Sequence, residues 1–397
     1  MKKILIILAF LFLPNLVDAA LLIDKVEYGT IAIGADTSVN TATLGSSFDT
    51  SRSSVFWLGS SFSNHPANAS TTMAALDFTN STTITATRGT QSAQAASTLT
   101  VGFVVVQWSS GVTTSIQRGT IVTNGGSTSN TATISSVDTS RSFVHWLGDY
   151  ATSSISADLA SAAFRQTLTD STTVTATRQA SVGTATTSYE VIQFASGVLN
   201  SAPQAVSIGL NGSANPMVAD ATISSVNTNN AIIFYGGVSS NNGSVDNHHA
   251  QINLENATTV RGRRTNANVQ TTINGTVLEF NSSYLASNVQ SGSLALTGVG
   301  SNTATISSVN ASVSLLSFGG LFSSTSSNNT RAKMRITLTN GTTITGTKVT
   351  ATSNASTTFM VLESSTVADT PPSFQSSGKT RVNILKRLVL KYRMIIK

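Results

Sequence analysis

Short runs in which apolar and polar residues alternate recur along most of the chain, separated by clusters of Gly, Asn and Ser. Runs of Val, Ile and Thr with a period of two are typical of half-buried β-strands. The helical period is nearly absent, and the Ala-rich segment 157–164 is the one candidate for a turn of helix. The pattern therefore predicts an all-β protein and excludes a parallel doubly wound sheet.

Four copies of one sequence pattern fill the body of the chain. An Ala-Thr-Ile or Ala-Thr-Leu element recurs, with its alanine at Ala42, Ala132, Ala221 and Ala304. A Thr-Thr-Ile or Thr-Thr-Val block follows in each copy and begins at Thr82, Thr172, Thr258 and Thr342. Because order and spacing agree, each unit spans roughly 85–90 residues, the size of a small domain. About six predicted strands per unit indicate β-sandwiches.

The predicted organisation is therefore four tandem β-sandwich repeats, immunoglobulin-like or jelly-roll-like. The repeats occupy residues 25–114, 115–203, 204–287 and 288–368, after a signal peptide at 1–19 and before a Pro/Ser linker and basic amphipathic tail at 369–397. The joins between repeats are short and rich in small residues, which predicts closely strung domains.

The N-terminal segment has the layout of a secretory signal peptide. Lys2 and Lys3 precede the apolar run 4–13, and Val17 and Ala19 supply small residues at the −3 and −1 positions. A membrane anchor is the alternative, but the apolar run is short for a bilayer core of about 30 Å. We expect cleavage after Ala19 and an extracellular or cell-surface protein.

The basic character of the chain is concentrated at its C-terminal end. The formal net charge is +6, and residues 379–397 carry seven basic residues and no acidic one. The body is close to neutral, so nucleic acid is excluded as a partner. Lys386, Arg387, Lys391 and Arg393 lie among apolar residues, which predicts contact with an anionic membrane or with a partner. A sorting signal and a disordered tail are the alternatives.

The third predicted strand of each copy carries two columns that point to opposite faces. One column is always aromatic, and the next is variable: the first is Trp57, Trp146, Tyr235 and Phe318, and the second is Phe56, His145, Phe234 and Ser317. We expect the constant column in the core and the variable column on the outside. Stacking on sugar rings is the alternative for Trp57 and Trp146 of the aromatic column. Trp146 and, from the variable column, His145 are the candidate ligand-binding residues of this strand.

The third copy also contains the one basic cluster of the body. Arg261, Arg263 and Arg264 lie on its fifth strand, and this arrangement fits an acidic glycan or a phosphate. A solvated edge that blocks strand pairing is the alternative. The fifth strands end in a basic column, whose stems we expect to cover the rim while their heads reach water; this column is Arg88, Arg178, Arg264 and Lys348.

Catalytic chemistry has no recognisable signature in this sequence. With no cysteine, disulfides and thiol chemistry are excluded, and the acidic residues are scattered singly rather than paired. Asp246, His248 and His249 invite a metal interpretation, but adjacent strand residues point to opposite faces. We therefore expect no catalytic residues, no metal and no cofactor.

The tandem Ser/Thr/Asn-rich repeats over residues 25–368 resemble those of bacterial surface adhesins and of phage fibres. The resemblance implies a binding or structural role without turnover, and the predicted export signal favours the adhesin. We expect a secreted or surface-displayed protein that recognises glycans or a cell surface. The alternative is a structural subunit of an extracellular filament or a virion, in which the partners are copies of the same chain.

Overall fold

A computed structural model describes residues 21–366 except for residues 36, 64–71, 90–96, 152–158, 213, 215, 243–247, 266–268, 324–332 and 349–353. The predicted signal peptide and the basic tail lie outside the described residues, and so does Asp246. Residues 21–365 form one compact unit.

Each copy forms six strands in the same order, and the fourth copy adds a two-residue strand. Copy 1 comprises β1 (Ile23–Ile33), β2 (Val39–Thr43), β3 (Ser53–Phe62), β4 (Ala74–Asn80), β5 (Thr83–Arg88) and β6 (Leu99–Trp108). Copy 2 comprises β7 (Thr113–Thr123), β8 (Ser129–Thr133), β9 (Ser142–Ala151), β10 (Arg165–Asp170), β11 (Thr173–Thr177) and β12 (Ala185–Phe194). Copy 3 comprises β13 (Gln204–Leu210), β14 (Met217–Thr222), β15 (Ala231–Ser240), β16 (Ala250–Asn256), β17 (Thr259–Arg264) and β18 (Thr271–Glu279). Copy 4 comprises β19 (Gln290–Leu296), β20 (Ser301–Thr305), β21 (Ser314–Phe318), β22 (Phe322–Ser323), β23 (Arg335–Asn340), β24 (Thr343–Thr347) and β25 (Ala355–Glu363).

Complete 3-10 turns lie among the described residues at Leu159–Ser161, Ser282–Tyr284 and Ala311–Val313. The first of these lies in the Ala-rich segment that predicts a turn of helix. In the described part of the chain, no helix has the length and apolar character that a membrane span requires.

Within a copy the strands form two antiparallel groups of three. In copy 1 the first group is β1-β6-β3 and the second is β2-β5-β4. The alternating pattern in the sequence is visible in the second group, because Ile84, Ala86 and Arg88 of β5 are buried while the residues between them are half-buried. The same two groups recur in the other copies.

One residue near the start of the fourth strand of each copy pairs with a glycine in or just after the third strand of the next copy. The four links are Ala75↔Gly148, Arg165↔Gly237, Gln251↔Gly320 and Arg335↔Gly59. The last link joins copy 4 back to copy 1, so the four copies close into a ring.

The linking glycines allow this close approach between copies. Gly59, Gly148, Gly237 and Gly320 have φ angles of 92°, 109°, 93° and 85°. A Cβ atom at any of them would clash with a backbone carbonyl of the neighbouring copy. Glycine is therefore the residue that both the positive φ and the short distance require.

The prediction of four tandem β-sandwich repeats, immunoglobulin-like or jelly-roll-like, is wrong. The strands form a β-propeller of small antiparallel sheets, three with six strands, one with three and one with four. The six-stranded sheets run across copy boundaries, and the two smaller sheets meet at the isolated Gln251↔Gly320 bridge. The physical reason is that a separate sandwich would leave strand edges open, whereas here neighbouring copies pair at those edges.

The third strands β3, β9, β15 and β21 pack against one another around the centre of the ring. Their variable column is buried rather than outside, with Phe56 2%, His145 4%, Phe234 3% and Ser317 4% exposed. The Phe56 ring lies 4.5 Å from the His145 ring and 5.3 Å from the Phe234 ring, centroid to centroid. The expectation of an outer face is therefore wrong, because both faces of a third strand are covered in the ring.

Candidate functional site: a central pocket built by all four copies

The aromatic column of the third strands forms the first tier of a pocket at the centre of the ring. Ring centroids are 5.5 Å apart for Trp57 and Trp146, 5.2 Å for Trp146 and Tyr235, and 6.5 Å for Tyr235 and Phe318. All three pairs meet edge to face, a favourable aromatic geometry. One aromatic residue from each copy therefore contributes to an apolar surface at the centre.

Two further tiers of equivalent positions complete the wall of this central pocket. The second tier directly follows the linking glycines and consists of Ser60, Asp149, Val238 and Leu321. Each linking glycine pairs with a fourth-strand residue, and the residue two positions before that partner belongs to the third tier. The third tier consists of Met73, Ala163, His249 and Lys333. The pocket has about 590 Å³ of empty space, part of it open to solvent. Its scaffold is repeated four times, but its side chains differ from copy to copy.

Asp149 of copy 2 is the acidic member of the wall and is 2% exposed. Its Oδ1 accepts a hydrogen bond from Trp146 Nε1 at 2.9 Å, and its Oδ2 accepts one from the Phe164 backbone N–H at 3.0 Å. Burial raises the pKa of the Asp149 carboxyl to about 7, against the opposing effect of these hydrogen bonds. The carboxyl is thus held in one orientation at the edge of the aromatic tier.

Lys333 of copy 4 is the basic member of the wall. Its Nζ donates to the backbone carbonyl of Thr72 at 2.6 Å. Burial lowers the pKa of Lys333 to about 7, while the charge of Asp149 acts to raise it. The pocket therefore contains an acid and a base from different copies whose charges interact.

His249 of copy 3 contributes a neutral imidazole. It is 2% exposed, and neither ring nitrogen has a hydrogen-bond partner among the residues that the structure describes. Burial lowers the pKa of His249 well below its ordinary value, and the charge of Lys333 lowers it further. A neutral imidazole offers one donor and one acceptor to a ligand.

The chemistry of the wall suits a polar ligand with one apolar face. A hydroxyl group can donate to Asp149 and accept from Lys333, while the aromatic tier offers an apolar surface. Asp149 is the one carboxylate among the described residues that line the pocket. No group of three metal-ligating side chains is found in the described part of the chain.

The two ligand-binding candidates on the third strand of copy 2 occupy different layers. Trp146 lines the central pocket. His145 lies in the adjacent layer, against Phe56 and Phe234, and burial lowers its pKa to about 3. Neither of its ring nitrogens has a partner within the described residues.

The three arginines of β17 do not form one cluster. Arg261 is half-buried and paired with two carboxylates, donating to Asp220 at 2.8 and 3.0 Å and to Glu255 at 2.6 Å. The Arg263 guanidinium lies 4.4 Å from the centre of the Phe322 ring. Arg264 is fully buried. Alternation along the strand turns Arg264 to the buried face, while Arg261 and Arg263 share the other face and contact different partners. None of the three lines the central pocket.

The basic column of the fifth strands is buried, so the expectation that its heads reach water is wrong. Arg88, Arg178, Arg264 and Lys348 are between 0% and 3% exposed. Arg178 donates to the backbone carbonyls of Asn124, Ser127, Ser161 and Gly183, and Arg88 and Arg264 make equivalent bonds. Lys348 donates to the carbonyl of Leu296 at 2.9 Å. Each cation therefore satisfies backbone carbonyls, in loops or at the end of a first strand, that burial would otherwise leave unpaired.

Asp149 and Lys333 are the functional candidates that sequence reasoning misses. Their numbers are far apart in the chain, and neither belongs to a motif. The available signal is the alignment of the copies, since Asp149 stands where the other copies have Ser60, Val238 and Leu321. No protein-family model matches this chain, and neither does any curated protein.

Proposed function

We propose that this protein is a non-enzymatic glycan-binding protein, displayed outside the cell, that holds one sugar residue in the central pocket. The observation that carries the proposal is the placement of Asp149 and Lys333 beside the tier of four aromatic rings. Sugars combine hydroxyl groups, which both donate and accept, with an apolar ring face. Such a pocket, mostly apolar with a few fixed polar groups, is the usual form of a ligand site.

Binding without turnover is the interpretation that the wall supports. Glycoside hydrolysis generally uses two carboxyl groups flanking the bond. Within the described lining, Asp149 has no second carboxyl group beside it, and its two oxygens are engaged by Trp146 and Phe164. Its role in the proposal is to orient a ligand hydroxyl.

The experiment is a glycan array probed with the wild-type protein and with Lys333→Met and Asp149→Asn. Each substitution removes a charged hydrogen-bonding group at similar volume, so we expect about a tenfold or larger loss of affinity. Arg261→Gln is the matched control, because it removes a half-buried cation that lies outside the pocket. Circular dichroism checks the folding of each variant. Unchanged binding in both pocket variants, or an equal loss in Arg261→Gln, would overturn the proposal.

The structural-subunit alternative is favoured by a separate observation. Strands β2, β8 and β20 lie at the ends of their sheets, and each is exposed at four of its five residues. Open edges of this kind can pair with another chain. Light scattering over a range of protein concentrations tests the alternative: a constant monomer mass contradicts it, and ordered growth of large particles supports it.

A further inference from the structure

The four seams between neighbouring copies differ in one position of the first strand. The equivalent residues are Tyr28, Arg118, Ala205 and Ser291. The Tyr28 hydroxyl donates to the carbonyl of Ser314 across the copy 4–copy 1 seam at 2.8 Å. Arg118 crosses the copy 1–copy 2 seam, donating to the carbonyls of Thr50, at 3.0 Å, and of Ser53. Large side chains therefore fill these two seams.

Small side chains leave the other two seams open. Ala205 lines a groove of about 880 Å³ between copies 2 and 3, and Ser291 lines one of about 750 Å³ between copies 3 and 4. Both volumes include space open to solvent. The same first-strand position therefore fills the seam where it is Tyr28 or Arg118, and it lines an open groove where it is Ala205 or Ser291.

The copy 2–copy 3 groove contains two buried amide oxygens without a hydrogen-bond partner among the described residues. They are Gln166 Oε1 and Asn274 Oδ1, and their side chains belong to residues that are 3% and 5% exposed. A buried polar atom without a partner costs free energy. A ligand that donates to both oxygens recovers this free energy.

The orientation of both amides is fixed by their amino groups. Gln166 Nε2 donates to Thr187 Oγ1 at 2.8 Å and to the Ser188 carbonyl at 2.9 Å. Asn274 Nδ2 donates to the Gln166 carbonyl at 3.0 Å. Flipping either amide would place its oxygen against a carbonyl oxygen, so the free atoms are acceptors.

The other open groove provides an internal contrast. The residue equivalent to Gln166 is Ile252 in copy 3, and Asn274 is replaced by Thr358. Thr358 Oγ1 donates to the Ile252 carbonyl at 2.9 Å, so its hydroxyl is satisfied. The pair of free acceptors is therefore a feature of the copy 2–copy 3 groove and not of the repeated scaffold.

We propose that the copy 2–copy 3 groove is a second binding site that takes an uncharged sugar. None of its described lining residues is charged, and Phe143, Leu168 and Pro203 supply an apolar side opposite hydroxyl and amide groups. Hydroxyl donors on a neutral sugar match the two fixed acceptors. The class of ligand, a sugar, rests on the proposed function. The place of binding rests on the groove alone.

The experiment is saturation-transfer NMR with glucose, galactose, mannose and N-acetylglucosamine as probes. The protein carries Lys333→Met in every sample, which weakens binding at the proposed central site. Ala205→Tyr is added to plug the groove as Tyr28 plugs its own seam, and Gln166→Ile is added separately to remove one acceptor. Ser291→Tyr is the matched control, because it plugs the other groove.

We expect at least one probe to give a saturation-transfer signal that Ala205→Tyr abolishes and that Ser291→Tyr leaves unchanged. We expect Gln166→Ile to lower the affinity for that probe about tenfold. Absence of signal from all four probes, or a signal that persists in both groove variants, overturns the second site. The array result with Lys333→Met and Asp149→Asn is independent of the groove, so failure of the proposed function and failure of this inference are distinguishable.

Discussion

The basic column of the fifth strands and the wall of the central pocket are both fourfold repeated, but they differ in how the copies use them. In the column, all four copies carry a buried cation that donates to backbone carbonyls of its own copy. In the second and third tiers of the pocket, the copies carry different chemistry, with Asp149, His249 and Lys333 each from a different copy. Agreement between copies therefore marks what holds each copy together, and divergence marks a candidate site.

The largest effect is expected where the copies agree. Arg178→Met removes a cation that donates to four backbone carbonyls and leaves several of them unpaired, so we expect a loss of about 3–5 kcal/mol in unfolding free energy. Lys348→Met removes a single bond and is expected to cost about 1 kcal/mol. Urea denaturation measures both values. Equal losses in the two variants would contradict the structural role assigned to the column.

Arg118 is an exception to the rule that agreement between copies marks structural residues. It occurs in one copy, yet it bonds to the buried Glu190 and to backbone carbonyls of the neighbouring copy. Its Nε pairs with Glu190 at 2.6 Å, and the Glu190 side chain is fully buried. Arg118→Met leaves that carboxylate unpaired, so we expect a loss of about 3 kcal/mol, largely restored by adding Glu190→Gln. Urea denaturation of the single and double variants checks this. Failure of the second substitution to restore stability would mean that Arg118 acts through its carbonyl contacts instead.

A smaller effect, confined to one pH window, is expected from Asp149. Burial raises the pKa of Asp149 from 3.8 to about 7 in the folded protein, so its contribution to stability is full below about pH 4 and is lost as the pH rises to about 7. Lys333, with a pKa lowered to about 7, contributes mainly above that window. We expect the melting temperature of the wild type to fall by a few degrees more than that of Asp149→Asn between pH 4 and pH 7. Parallel melting curves for the two proteins would contradict a buried, perturbed carboxyl group.

The strands of each copy are predictable from the sequence because they depend on local alternation. The segment 82–88 shows this, since its period of two corresponds to the burial of Ile84, Ala86 and Arg88 in β5. Closure of the ring has no local signal. It depends on contacts between residues that lie far apart in the sequence, in copies 4 and 1, such as the pair Arg335↔Gly59 and the hydrogen bond from Tyr28 to Ser314.

The candidate site is only partly visible in the sequence for the same reason. Trp146 is identified because aromatic residues recur at its position, and it lines the pocket. Asp149 and Lys333 meet only because copies 2 and 4 face the same centre. The arginines of β17 show the converse, since strand alternation buries Arg264 on the face opposite to Arg261 and Arg263.

The most direct test of the central claim is a crystal structure of the protein with the glycan that it binds most tightly on the array. The account predicts a sugar residue in the central pocket, with hydroxyl groups within hydrogen-bond distance of Asp149 and Lys333 and a ring face against the aromatic tier. A sugar bound only at the perimeter strands, with the central pocket unchanged, would contradict the claim that divergence between copies marks the site.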